Sequence, residues 1–119
     1  MSQLSQMDLL GGINKDSSLP QIQDYVQKVV ELRGFTESIQ ETMLLLLEET
    51  GELAKAIRKS ETKMSVDVDK LHNYDTIESE VADVFFVLTA VCNKLHINLF
   101  DALKEKETIN CGRDWRFER

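Results

Sequence analysis

Met43 to Leu47 are five consecutive apolar residues, and three acids, Glu48, Glu49 and Glu52, follow them directly. Ser38 and Glu41 precede the run at capping-box spacing, which predicts one helix from Ser38 to about Lys59 or Ser60. A helix apolar on all sides in its middle has to be central, or buried partly against a second subunit. No segment alternates polar and apolar residues long enough for a strand. The expected fold class is therefore all-α: an antiparallel bundle of about four helices, completed by oligomerisation.

The other helices follow from apolar periodicity. Ile22, Tyr25, Val26, Val29, Val30 and Leu32 form a stripe that starts near Leu19–Pro20, with the proline in the first turn, and stops at Gly34. A third helix is expected after Asp75, with Glu78 in capping-box position, through Val84–Leu88 and Val91 to about Leu95. After a turn at His96 to Asn98, a fourth runs from Leu99 to about Glu107, and Thr108 to Arg119 form a tail. The polar, aperiodic stretch from Glu61 to Tyr74 reads as a loop. Residues 1–18 read as a loose arm, whose Leu4, Met7, Leu9, Leu10 and Ile13 offer apolar contacts to a partner, and residues 19–119 as the helical domain.

With 119 residues the chain suits one domain. Its net charge of −7 argues against a nucleic-acid partner, because phosphate backbones need a basic face. A nucleotide is not excluded, since a divalent metal can stand between an acidic protein and a triphosphate. Cys92 and Cys111 lack metal spacing and suit a reduced, cytoplasmic protein. No stretch is long and apolar enough for a membrane span, and Met1 to Leu10 do not resemble a signal peptide.

Glu49 and Glu52 on one helix, and Glu80 and Asp83 on another, each stand three residues apart, about 60° round the helix and so on one face. Both pairs sit among apolar neighbours: the leucine run, Leu53, Ala54 and Ile57 in one case, Val81, Ala82, Val84 and Phe85 in the other. A solvated outer face explains one such acid easily, but it leaves the apolar surroundings of two pairs unexplained. A hard cation resolves both their desolvation and their mutual repulsion. Mg²⁺ is the natural choice, with Mn²⁺ as a substitute, because it takes oxygen ligands and keeps waters that a substrate replaces.

Leu47-Glu48-Glu49-Thr50-Gly51-Glu52-Leu53-Ala54-Lys55-Ala56-Ile57, followed by Glu80-Val81-Ala82-Asp83-Val84, resembles the signature of the MazG-like all-alpha NTP pyrophosphohydrolases. The likeness extends over roughly residues 20 to 115, with Lys106, Asn110 and Arg113 matching a basic pattern downstream. The gap between Glu52 and Glu80 is towards the long end for such proteins. The resemblance implies a magnesium-dependent enzyme that cleaves a nucleoside triphosphate to the monophosphate and pyrophosphate. It makes Glu49, Glu52, Glu80 and Asp83 the metal ligands and groups Glu48, Glu49 and Glu52 as catalytic. Glu48, about 100° from Glu49, would act from outside the metal shell or as a base on the attacking water. Lys106, Asn110 and Arg113 would hold phosphates, and Trp115 or Phe35 would stack on a base. Each of these has a structural counterpart, as a basic helix end or a packing aromatic. Lys55 and Arg58 suit solvated surface better than phosphate.

A homodimer or homotetramer is expected from the same apolar run. Two other functions stay open: a phosphoribosyl-ATP or dUTP/dCTP-type pyrophosphohydrolase on the same scaffold, and a helical nucleotide-sensing or dimerisation module without turnover. Asp67, Asp69, Asp75 and Glu78 fall at EF-hand positions, but Leu71 and His72 occupy positions where a ligand and a glycine are required.

Overall fold

In the computed structural model, residues 5–67 and 76–116 are described. They form five helices and, among the described residues, no strand: α1 (Gln6–Leu10), α2 (Leu19–Leu32), α3 (Ile39–Glu61), α4 (Ile77–Lys94) and α5 (Leu99–Cys111). Three helix starts carry a reciprocal capping box, Ser5 with Asp8, Ser18 with Gln21 and Ser38 with Glu41. Gly34, at φ 71°, takes the left-handed turn that ends α2.

Three expectations need correction. Within the stretch read as a loose arm, Gln6–Leu10 is helical and packs on α2. The start of α4 is set by Thr76, whose hydroxyl accepts from the Ser79 N–H, so Glu78 does not form a capping box. Helix α5 continues past Glu107 to Cys111, where Gly112 caps it.

The main packing is α3 on α4, with α2 also against α4. The Lys94 ammonium donates to the Glu37 carbonyl at 2.6 Å just ahead of α3, while Glu49 meets Glu80 and Asp83 further along. The two helices therefore run antiparallel. One polar cluster ties α2 to the α4–α5 corner. Gln23 Nε2 donates to Asn93 Oδ1 at 3.0 Å and to the Ile97 carbonyl at 2.8 Å. Its Oε1 accepts from the Leu99 N–H at 2.8 Å, and Asn93 Nδ2 donates to the Gln23 carbonyl at 2.9 Å. The corner itself turns at His96, whose φ is 56°.

The buried apolar residues are Val26, Val29, Ala56, Ala90, Val91 and Cys92; among the described residues no leucine and no aromatic ring is buried. Leu44 and Leu47 are each 65% exposed, Val81 is 50% and Phe85 is 39% exposed. The radius of gyration, 17.9 Å, exceeds the roughly 13–14 Å of a compact chain of this length. One chain thus leaves an apolar face on α3 and α4 that single folded chains rarely expose. No single helix among the described residues is long and apolar enough to cross a membrane.

Candidate metal centre

Helices α3 and α4 carry their acids to a common seam. Oxygens of Glu49, Glu80 and Asp83 all lie within 4.8 Å of one another. Glu80 is 5% exposed and Glu49 half-buried, while Asp83 is exposed. Burial pushes the Glu49 carboxyl above its usual range, and the charges of Asp83, Glu80, Glu48 and Glu52 push it the same way. An all-oxygen set from two helices, at this separation and with this repulsion, suits a hard divalent cation.

Glu52 stands outside the tight group, exposed one turn further along α3, yet its charge is felt at Glu49. Glu48 is exposed beside it.

A cavity of about 310 Å³ opens against the acids. Glu49 and Asp83 line it from one side, Phe35, Leu45 and Phe86 supply apolar surface, and Arg33 and Lys94 supply positive charge. The Arg33 guanidinium lies over the Phe86 ring, 5.5 Å from its centre. Arg33, Lys94 and Phe86 carry no local motif, so the sequence does not single them out. Phe35, a stacking candidate from the sequence, does line the cavity.

Lys106, Asn110, Arg113 and Trp115 do not line this cavity. Helix α5 packs on α2, and the indole N–H of Trp115 donates to the Asn110 carbonyl at 2.8 Å. Asn110 Nδ2 donates to Glu107 at 3.3 Å, and Asn110 Oδ1 is buried without a hydrogen-bond partner among the described residues. Arg58 donates to the Ser65 carbonyl at 2.8 Å and so pins the start of the loop after α3. The rest of that loop, including Asp69, Leu71, His72 and Asp75, lies outside the described residues.

The family model of the MazG nucleotide pyrophosphohydrolase domain matches residues 37–107, more than half of the chain and the whole α3–α4 pair. The chain belongs to the MazG nucleotide pyrophosphohydrolase family. Its fold is similar to that of the candidate pyrophosphatase YPJD from Bacillus subtilis, with a TM-score of 0.71 and 26% identity over 85% of this chain and 100% of that one. It is also similar to iMazG from Vibrio DAT 722, with a TM-score of 0.57 and 24% identity over 84% of this chain and 100% of that one. None of the curated proteins is a significant match in sequence. The MazG assignment makes this chain one of a family of pyrophosphatase-type hydrolases, and it places the acid-bearing helices inside the family's conserved domain.

Proposed function

We propose that the chain is a Mg²⁺-dependent nucleoside-triphosphate pyrophosphohydrolase that splits (d)NTP into (d)NMP and pyrophosphate. The observation that carries this reading is the convergence of Glu49, Glu80 and Asp83 from two helices beside a cavity that also holds Arg33 and Lys94. Acids alone would repel a triphosphate, whereas a metal-type acid set beside two cations suits one.

Glu49, Glu80 and Asp83 hold the cation, and Glu52 completes the set by a side-chain rotation on the same face of α3. Mn²⁺ substitutes, since it favours the same ligands. A cation bound there would supply positive charge to the phosphate oxygens and acidify a coordinated water. Glu48, exposed beside Glu49 in sequence, would receive the proton from the attacking water. The rings of Phe35 and Phe86 flank the nucleobase.

The apolar face of α3 and α4 is covered by a second copy of the chain, as a homodimer or as half of a homotetramer. Lys106, Asn110, Arg113 and Trp115 meet substrate only in that assembly, because within one chain they stand outside the cavity. No nucleic acid or membrane enters this reading, and the compartment is the cytoplasm.

The test is a panel of ribo- and deoxynucleoside triphosphates with Mg²⁺ or EDTA and product identification. Monophosphate plus pyrophosphate, abolished by EDTA, is the expected result. Diphosphate plus orthophosphate would refute the cleavage position.

A further inference from the structure

We infer that the N-terminal helix α1 is a positioning strap for the cavity: Gln6 holds Arg33 over Phe86 so that Arg33 presents its free edge to the substrate's phosphates. The inference rests on the proposed triphosphate substrate.

The geometry begins at the guanidinium. Arg33 Nε donates to Gln6 Oε1 at 2.9 Å, a bond from the end of α2 back to the first residue of α1. The same group lies over the Phe86 ring, 5.5 Å from its centre. Its terminal nitrogens, Nη1 and Nη2, make no hydrogen bond among the described residues, and Arg33 forms no ion pair there. The guanidinium is thus tied at Nε and set against a ring, with its terminal nitrogens open. An anchored planar fork of this kind reads phosphate oxygens in pairs, and anchoring it beforehand reduces the freedom lost on binding.

Its place along α4 fits that task. Phe86 follows Asp83 by three residues, so its ring lies one turn along the same face, about 4.5 Å further on. Arg33 lines the same cavity as Glu49 and Asp83, where a chain of phosphates held at those acids would extend.

Helix α1 is fixed independently of this bond. Ser5 and Asp8 close its first turn through reciprocal bonds at 3.1 Å. Half-buried Leu9 and Ile13 set the segment against α2, where they line a second cavity with Pro20 and Tyr25. Gln6 is exposed and its side chain makes no other hydrogen bond among the described residues, so its removal takes away the hold on Arg33 without opening a core.

The test uses the full chain, with Gln6→Leu removing the acceptor and Gln6→Glu keeping one. Two quantities are read: KM and kcat for the triphosphate turned over best, and Kd for tripolyphosphate with Mg²⁺ by calorimetry. Gln6→Leu is expected to raise KM and Kd about three- to tenfold, the worth of one charge-assisted bond at an exposed site, with kcat within about twofold. Gln6→Glu keeps the hold but sets a carboxylate against the guanidinium, so it is expected to fall between the parent and Gln6→Leu in both. Unchanged KM and Kd in Gln6→Leu would overturn the strap, as would equal impairment of the two variants or a parent protein that does not bind tripolyphosphate. Failure of the hydrolase reading looks different: the parent turns over nothing in the panel, and the tripolyphosphate Kd values still decide the role of Gln6.

Discussion

Glu49 of α3 and Asp83 of α4 bring carboxylate oxygens within 4.8 Å of each other, and burial, with that neighbour second, holds the Glu49 carboxyl above its ordinary range. The two like charges repel each other across the seam.

Glu49→Gln and Asp83→Asn remove one of the repelling charges. Each is expected to raise the melting temperature of the EDTA-treated protein, to erase the stabilisation by Mg²⁺, and to lower turnover by about 100-fold or more, since lost charge stabilisation is worth several kcal/mol and each 1.4 kcal/mol is about tenfold. Differential scanning fluorimetry and product assays check this. Variants that melt lower without metal and still respond to Mg²⁺ would remove the carboxylates from the metal site.

The pH profile of metal-free stability follows from the signs. The Glu49 carboxyl is raised above its ordinary 4.5 in the folded chain, so the folded state holds the extra proton. Its contribution is fully present below 4.5 and is lost as pH rises through the raised value. Asp8 and Glu41 act the other way. Bonds from the Ser5 and Ser38 backbone lower them from 3.8 and 4.5, so their contribution is present above those values and is lost as pH falls below them. Metal-free melting temperature should therefore climb as pH falls through the raised Glu49 value towards 4.5, and drop again as pH falls below 4.5 and 3.8, where the Glu41 and Asp8 contributions are lost. Saturating Mg²⁺, which competes with the proton at Glu49, should flatten the first slope, and a climb unaffected by Mg²⁺ would count against the assignment.

Gln23→Leu removes a side chain that serves Asn93, Ile97 and Leu99 together. The loss leaves several part-buried groups without partners and should cost about 2–4 kcal/mol. Urea titration gives the number, and a change below about 0.5 kcal/mol would show that water replaces the amide.

Leu44→Glu and Leu47→Glu alter residues that are each 65% exposed within one chain. Each should shift sedimentation from the assembled species to the monomer and reduce turnover in proportion. A parent protein that sediments as a monomer at micromolar concentration contradicts the assembly.

What the sequence revealed was what repeats locally. Ser38 with Glu41, Gly34, and the spacings Glu49–Glu52 and Glu80–Asp83 were legible because each lies within about one helical turn; that Glu49 rather than Glu52 meets the second pair depends on how α3 packs on α4, which no local spacing sets. Thr76 was misread because Asp75 is also a capping type and Glu78 stood at the spacing that favoured it. The end of α5 was set one turn early, since Thr108 and Ile109 are weak helix formers and Gly112 supplies the real stop. The cavity was not legible. Arg33 meets Phe86 and Lys94 meets Glu37 across long stretches of chain, and no spacing rule links such partners.

The corner between α4 and α5 is held from outside. Its turn at His96 lies in a strained left-handed conformation, and the Ile97 carbonyl and Leu99 N–H are satisfied by Gln23, which lies 74 and 76 residues earlier. Helices can nucleate early from their own serine caps, but this corner settles only when α2 has closed a long loop onto it. Refolding rate therefore reports the docking of α2, and a probe placed at Leu99 should be the last to reach its native signal.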